Sequence, residues 1–192
     1  MDYREQIKRY QPRCEQEKRD KAMMLELMES CGQRLLWRDC RAVHFTSSGF
    51  ILNQDLDKCL FAYHRIYDAW GWTGGHADGN GDLLQVAVKE AKEETGLVQV
   101  DPLSFEIASL DILPVHGHWK NGSYVSPHLH LCAAYLLIAD EDQPIRPKKD
   151  ENTAVKWIYL YQIEQYSREQ HMLPIYRKLT GRIRENGIGM DR

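Results

Sequence analysis

The sequence predicts an α/β domain preceded by a helical extension, and three observations support this fold class. Residues 1–40 are rich in Lys, Arg, Glu and Gln, as in exposed helices. From Arg41 onward, apolar residues alternate with polar ones, which is the period of a β-strand. One strongly periodic helix at residues 83–95 interrupts the strands, which resume after residue 97. A sheet covered by helices is a common way to bury such a pattern.

Composition limits the classes of function and the compartment. The 192 residues suit about one domain, and the net charge of −3 with a pI near 6.2 gives no bulk attraction to nucleic acids or acidic membranes. The five cysteines are odd in number, and residues 1–30 are too highly charged for a signal peptide. No apolar run approaches about 18 residues. We therefore expect a cytoplasmic protein with reduced thiols and with no nucleic-acid or membrane partner.

The N-terminal extension, residues 1–40, is predicted to contain two helical segments separated by Pro12, because proline removes a backbone donor. The second segment has a partial apolar face. Packing of this face on the domain is the simpler expectation. The alternatives are a homodimer contact or one wall of a substrate site.

The domain is expected to span residues 41–186 and to begin with a β-hairpin. Its strands, Val43–Leu52 and Lys58–Ile66, are joined by a polar turn at residues 53–55. The second strand and the segment that follows it carry four aromatic side chains that are expected to cluster near the functional site, namely Tyr63, Tyr67, Trp70 and Trp72. Such rings stack on nucleotide bases, although burial in the core is the commoner fate of an aromatic residue.

A glycine-rich loop at residues 74–82 leads into the central helix, Leu83–Thr95. Two adjacent glycines and the Asp-Gly and Asn-Gly turn pairs exclude regular structure in this loop. Asp82 is expected to cap the helix, with Gln85 completing a capping box, and Gly96 is expected to end it.

Three carboxylates share one face of this helix. Glu90, Glu93 and Glu94 stand at positions i, i+3 and i+4, at the edge of an apolar stripe that includes Leu84 and Val88. Like charges so placed destabilise a helix by roughly 0.2–0.5 kcal/mol per pair, so a compensating positive group is expected. Clustered oxygen ligands suit Mg²⁺ or Mn²⁺, whereas the simpler interpretation is a solvated acidic face.

Beyond the helix, Val98–Val100 and Phe105–Val115 are strand-like, and a turn at residues 120–122 folds the second back on Val125–Ala139. Four histidines lie on these two arms, namely His116, His118, His128 and His130. A two-residue turn would leave the two histidine pairs on different faces, whereas one bulge residue would bring all four to one face. The sequence does not decide between these registers. Clustered imidazoles would bind zinc or contact phosphates, and scattered structural histidines are the simpler interpretation.

The C-terminal part is predicted to contain a strand at Ala154–Leu160 and then helices up to residue 186. A break in the helices is expected at residues 167–173, because Pro174 is tolerated only near a helix start. Residues 187–192 are expected to form a frayed tail.

The glycine loop and the central helix together resemble the Nudix box, G-x5-E-x7-R-E-U-x-E-E-x-G-U, where U is aliphatic. The matching residues are Gly75, Glu90, Glu93, Glu94, Gly96 and Leu97, with Ala91 in the first aliphatic position. Two positions depart from the box, whose Glu falls on Gly81 and whose Arg falls on Lys89. The charged pair that braces the loop in the family is therefore absent or rebuilt in this chain. Glu151 and Trp157 resemble a further family segment, E-x5-W.

The resemblance implies a Nudix-type α/β/α sandwich with a mixed β-sheet. It also implies hydrolysis of a diphosphate linkage in a nucleoside diphosphate joined to another moiety. The implied ligands of Mg²⁺ or Mn²⁺ are Glu90, Glu93, Glu94 and the Gly74 carbonyl, and Glu93 or Glu151 would complete deprotonation of the attacking water. The candidate contacts to the nucleotide substrate are Tyr63, Trp72, His76, His128 and His130.

Two other functions are compatible with this pattern. A nucleotide-sensing module with little turnover is an alternative because of Gly81 and Lys89. An isoprenoid-diphosphate isomerase also carries Gly-His in this loop, but it resembles a Cys-Gly-His pattern in which this chain has Gly74. A DNA-binding regulator is disfavoured by the acidic net charge and by the short chain after the domain.

Overall fold

The computed structural model describes residues 2–65, 68–120 and 122–185. Within these residues the strands are β1 (Val43–Leu52), β2 (Lys58–His64), β3 (Ala69–Gly71), β4 (Thr73–His76), β5 (Asp101–Pro102), β6 (Ser109–Val115), β7 (His118–Lys120), β8 (Ser123–Val125), β9 (His128–Ile138) and β10 (Asn152–Tyr159). The α-helices are α1 (Tyr3–Arg9), α2 (Glu15–Cys31), α3 (Leu83–Thr95), α4 (Ile163–Tyr166) and α5 (Leu173–Glu185). Short 3₁₀ helices cover Gly32–Leu36 and Leu160–Gln162.

Eight of the described strands form one mixed sheet. Its main order is β10-β2-β1-β9-β5, with β3 paired to β2, β4 to β1, and β6 to β9. The central strands β1 and β9 are parallel, whereas the remaining pairs are antiparallel. The predicted hairpin is confirmed, because Ile51 and Leu52 of β1 pair with Leu60 and Cys59 of β2. The β7-β8 hairpin stands outside this sheet.

Helices cover both faces of the sheet, as the α/β/α prediction requires. Alternate side chains of β1 point to opposite faces, so that Phe45 joins one hydrophobic cluster and Phe50 joins the other. The first cluster contains apolar residues of α1, α2 and α3, and the second contains those of α5, such as Tyr176 and Leu179. The fold is therefore a three-layer sandwich.

The N-terminal helices are part of the protein core. Tyr3, Ile7 and Met24 are at most 2% exposed and pack in the same cluster as the apolar residues of α3. The chain leaves α1 at Arg9 and enters α2 at Glu15, so the predicted separation at Pro12 is confirmed. The apolar face of the extension is thus used for packing within the chain.

The predicted strand at Val98–Val100 is wrong. The backbone N–H groups of Val98 and Gln99 donate to the side-chain Oε1 of Gln143, at 3.2 and 2.9 Å, so a side chain takes the place of a neighbouring strand. Strand pairing is limited to Asp101 and Pro102. The second predicted strand is also shorter than expected, since Phe105 is 73% exposed and β6 begins at Ser109.

The C-terminal helices follow the predicted pattern. The chain is not helical between Tyr166 and Leu173, and Pro174 is the second residue of α5. No helix in the three described stretches is long and apolar enough to cross a membrane. The predicted residues Ile66, Tyr67 and Asn121, and the predicted tail at residues 187–192, lie outside the described residues.

Candidate active site

Helix α3 begins and ends as the sequence predicts, with one difference in its N-terminal cap. The Asp82 carboxylate accepts a hydrogen bond from the Gln85 backbone N–H at 3.1 Å, and Gly96 follows the helix in the left-handed conformation with φ of 73°. The reciprocal bond of a capping box is replaced. The Asp82 N–H donates to Asn80 Oδ1 at 2.9 Å, and the Asn80 side chain donates to the Gln85 side chain at 2.8 Å. The amide of Asn80 therefore completes the cap.

Two of the three acids on α3 lie on its buried face, which corrects the expected position at the edge of the apolar stripe. Glu90 is 9% exposed and Glu94 is 1% exposed, whereas Leu84 and Val88 are only partly buried. The acids reach this face because the opposing strand carries glycines. A Cβ atom added to Gly75 would lie 2.5 Å from Cδ of Glu90, so any larger residue there would displace that carboxylate.

Glu94 is held by two hydrogen bonds in a buried setting. The Gly74 N–H donates to Oε1 at 2.7 Å, and Asn152 Nδ2 donates to Oε2 at 2.8 Å. Burial raises the pKa of Glu94 to about 7, because desolvation of the charged form outweighs these two bonds. His64 Nδ1 lies 3.9 Å from Oε2, and no motif in the sequence singles out this histidine.

Two lysines bridge the acids of the site. Lys89 Nζ lies 3.1 Å from Glu90 Oε1 and 3.4 Å from Glu93 Oε1. Lys148 Nζ lies 3.3 Å from Glu93 Oε2 and 3.2 Å from Glu151 Oε1. Partial burial acts to raise the pKa of Glu93, but the hydrogen bonds and charges of Lys148 and Lys89 outweigh it and lower that pKa. The positive groups that the clustered acids require are therefore these two ammonium groups.

The glycine loop is braced by the N-terminal extension. Arg38 Nε donates to Asp78 Oδ1 at 2.7 Å, and Arg38 Nη2 contacts the other carboxylate oxygen, so the pair is bidentate. The extension also contacts the loop backbone, because the Tyr3 N–H donates to the Gly81 carbonyl at 3.0 Å and the Gly79 N–H donates to the Leu36 carbonyl at 2.9 Å. The brace expected between positions 81 and 89 is thus rebuilt with different residues. Nothing in the sequence around Arg38 signals this contact.

The acids open onto a cavity of about 410 Å³. Its lining includes all four acids, namely Glu90, Glu93, Glu94 and Glu151, together with Gly74, Trp72, His76 and His130. Of the other candidate residues, neither Tyr63 nor His128 belongs to the lining given by the described residues. The Tyr63 hydroxyl instead donates to Asp68 Oδ1 at 2.7 Å, and the ring packs edge-on against Trp70.

The β7-β8 hairpin resolves the histidine registers that the sequence left open. His118 pairs with Val125, and Val115 pairs with His128, so no bulge shifts one arm against the other. His128 and His130 therefore do not join His116 and His118 on one face. They meet two histidines from other strands instead, and the resulting cluster is His44, His76, His128 and His130.

Similarity to known proteins was found at two levels. A model of the NUDIX domain matches residues 44–179. No curated protein sequence matches the chain. The solved structures with a similar fold include an Ap4A hydrolase from C. elegans, with 16% identity, 73% of this chain and 98% of that chain covered, and a TM-score of 0.52.

Two further solved structures show the same fold. A dihydroneopterin triphosphate pyrophosphohydrolase from E. coli is 16% identical, with 74% of this chain and 95% of that chain covered and a TM-score of 0.53. A NUDIX-family hydrolase from Clostridium perfringens is 23% identical, with 73% and 97% covered and a TM-score of 0.50. Because the domain model spans more than half of the chain, this protein belongs to the Nudix family.

Proposed function

We propose that this protein hydrolyses a diphosphate linkage in a nucleoside diphosphate joined to another moiety, using Mg²⁺ or Mn²⁺. One observation carries the proposal. Four carboxylates line a single cavity, and two lysine ammonium groups bridge three of them, Lys89 between Glu90 and Glu93 and Lys148 between Glu93 and Glu151. A solvated acidic face would not bury two of its acids, as this helix buries Glu90 and Glu94. Two of the similar structures are, by name, an Ap4A hydrolase and a pyrophosphohydrolase, which supports a phosphoanhydride substrate.

The donor set fits a hard divalent cation. The carboxylates of Glu90, Glu93 and Glu94 and the carbonyl of Gly74 are oxygen ligands, which Mg²⁺ and Mn²⁺ prefer. These carboxylates already attract a positive group, since Lys89 Nζ lies within 3.4 Å of both Glu90 and Glu93. When bound, the ion would neutralise the diphosphate and lower the pKa of an attacking water.

The chain's own residues would divide the remaining tasks. Glu94 is fixed by the Gly74 N–H and by Asn152, so it can hold one orientation throughout the reaction. The side chains of Glu93 and Glu151 are each 41% exposed, and we propose that one of them accepts the proton of the water. Lys89 and Lys148, whose ammonium groups lie among these acids, would contact phosphate oxygens of the substrate.

The cavity walls support the substrate class. A volume of about 410 Å³ lies within the range of small-molecule sites. Trp72, His76 and His130 line it and are the proposed contacts to base and phosphates, whereas the positions of Tyr63 and His128 lend those two candidates no support. All five cysteines are free thiols, which supports the reducing cytoplasm as the compartment of the reaction.

The test is a screen of the purified full chain with Mg²⁺ and with Mn²⁺. The substrates would be nucleoside triphosphates, sugar nucleotides, dinucleoside polyphosphates, ADP-ribose and NADH. We expect hydrolysis of at least one class and a loss of more than about 100-fold in kcat for Glu93→Gln. The matched control is Glu29→Gln on the exposed side of α2, which should keep full activity. Full activity of Glu93→Gln would contradict the proposal.

A nucleotide-sensing module with little turnover is the second candidate. It is favoured by the lysine bridges, because Lys89 and Lys148 compete with a cation for the same oxygens. Nucleotide binding measured by calorimetry, with no hydrolysis of any compound in the screen, would select this function.

A further inference from the structure

Four histidines converge beside the acidic site, and two of them, His76 and His130, also line its cavity. His44 lies in β1, His76 ends β4, and His128 and His130 lie in β9. They meet because β1 pairs with both neighbours, so that His44 is opposite His130 and Thr46 is opposite His76. One ring nitrogen of each histidine lies within 4.8 Å of a ring nitrogen of every other.

The orientation of two of these rings defines which nitrogen faces the cluster. His44 Nδ1 lies 3.1 Å from the Cys40 carbonyl, and His128 Nδ1 lies 2.9 Å from the Ser126 carbonyl. A carbonyl oxygen only accepts hydrogen bonds, so both Nδ1 atoms carry the proton and both Nε2 atoms present a lone pair. Backbone carbonyls orient metal-bound imidazoles in this same way.

One of these lone pairs receives no hydrogen bond from any residue that the structure describes. His44 is 4% exposed, and its Nε2 is buried without a hydrogen-bond partner among the described residues. His128 Nε2 faces His130 Nε2 at 3.1 Å, and a bond between those two rings would still leave His44 Nε2 unpaired. A buried polar atom in this state is unfavourable and calls for a partner.

The spacing fits one tetrahedral ion. A Zn–N distance of about 2.0–2.1 Å implies ligand nitrogens about 3.3 Å apart. The observed His128–His130 separation of 3.1 Å is close to this value, and the limit of 4.8 Å for all pairs requires only small side-chain rotations.

We propose that His44, His76, His128 and His130 bind one Zn²⁺ ion at a site distinct from the carboxylate site. Imidazole nitrogens suit zinc, whereas Mg²⁺ and Mn²⁺ prefer the oxygen donors of α3. The ion would tie β4 to β1 and β9, and it would place positive charge in the cavity wall that His76 and His130 line. The site stands without the proposed hydrolysis, because all four ligands are imidazole side chains outside the acidic cluster.

The experiment is zinc binding by the full chain, stripped with chelator and titrated with ZnCl₂ in the absence of substrate. We expect one Zn²⁺ per chain, a higher melting temperature with zinc, and, after Co²⁺ substitution, the intense visible absorption of a tetrahedral ion. His44→Gln should lower the zinc affinity by more than about 100-fold, which exceeds the usual effect of removing an outer partner. The matched control is His118→Gln on the β7-β8 hairpin, which should bind zinc like the unmodified chain.

A second histidine variant and a variant of the acidic site complete the experiment. Because His44 is buried, the partly exposed His128 provides a second variant, His128→Gln, and each variant's fold is checked by its melting temperature without zinc. Equal zinc binding by the unmodified chain and by both folded variants would overturn the proposal, as would loss of binding in His118→Gln. Glu93→Gln separates the two functions, since it should lose hydrolysis and keep zinc.

Discussion

The metal-free protein should become less stable as the pH rises through the titration of Glu94. This carboxyl group is 1% exposed, and burial raises its pKa to about 7 from the ordinary value of 4.5. The informative substitution is Glu94→Gln, which removes the titration and keeps the shape. Its amide oxygen can still accept from the Gly74 N–H. Asn152 Oδ1, which has no hydrogen-bond partner among the described residues, can turn towards the new amide.

The size of the loss in the free energy of unfolding follows from the pKa shift of Glu94. Between the unfolded pKa of 4.5 and the folded value of about 7, the folded chain holds a proton that the unfolded chain has lost. The unfolded chain binds fewer protons in this window, so the free energy of unfolding falls as pH rises. With 1.36 kcal/mol for each pKa unit, the total loss is about 3 kcal/mol, and it levels off above pH 7.

The assay is urea unfolding of the chelator-treated protein at several values between about pH 4 and 8, for the unmodified chain and for Glu94→Gln. Other titrating groups are common to both proteins and cancel in the difference. We expect the variant to gain about 3 kcal/mol relative to the unmodified chain as the pH rises across this window. Mg²⁺ binding should release a proton near the lower end of the window and tighten towards pH 7. Parallel pH profiles for the two proteins would refute the raised pKa.

Glu151→Gln should lower kcat by roughly 10²–10⁴-fold with little change in metal affinity, measured by steady-state kinetics and calorimetry, and unchanged turnover would make Glu151 a surface acid. Arg38→Lys should lower kcat/KM, because only Arg offers a bidentate fork to Asp78. It should lower the free energy of unfolding by less than about 1 kcal/mol, because the pair is about half exposed. Equal kinetics would show that this pair does not brace the loop. Glu17→Gln should cost about 3–5 kcal/mol in urea unfolding, since it leaves the buried Arg182 without its carboxylate, and a loss below 1 kcal/mol would contradict this.

The sequence predicted the elements whose apolar side chains recur at the period of a strand or a helix and so form one buried face. Strand β1 and helix α3 occur at the predicted bounds, because each carries a full period of apolar residues and clear end signals. The segment at Val98–Val100 failed for a long-range reason. Its β-branched residues indicate a strand, but the Gln143 side chain, distant in sequence, takes the hydrogen bonds that a neighbouring strand would have formed.

The site was predictable only where its residues lie close together in the sequence. The acids of α3 form a local motif, so their spacing was visible. His44 and Arg38 were missed because their partners are His130 and Asp78, which the fold alone brings near. The burial of Glu94 was also hidden, since it depends on a glycine strand meeting the helix.

The segment Gly74–His76 stands between two sets of donors with different chemistry. On one side the Gly74 N–H fixes the Glu94 carboxylate, and on the other side the His76 ring joins the imidazole cluster. Oxygen donors select a hard cation and nitrogen donors select zinc, so the two sets need not compete for one ion. The Arg38–Asp78 pair holds the loop only two residues beyond His76. A substitution in the N-terminal extension would therefore affect both the carboxylates and the imidazoles, because the segment Gly74–His76 contacts both. We expect substitutions in the extension to change substrate choice more readily than substitutions of the acids do.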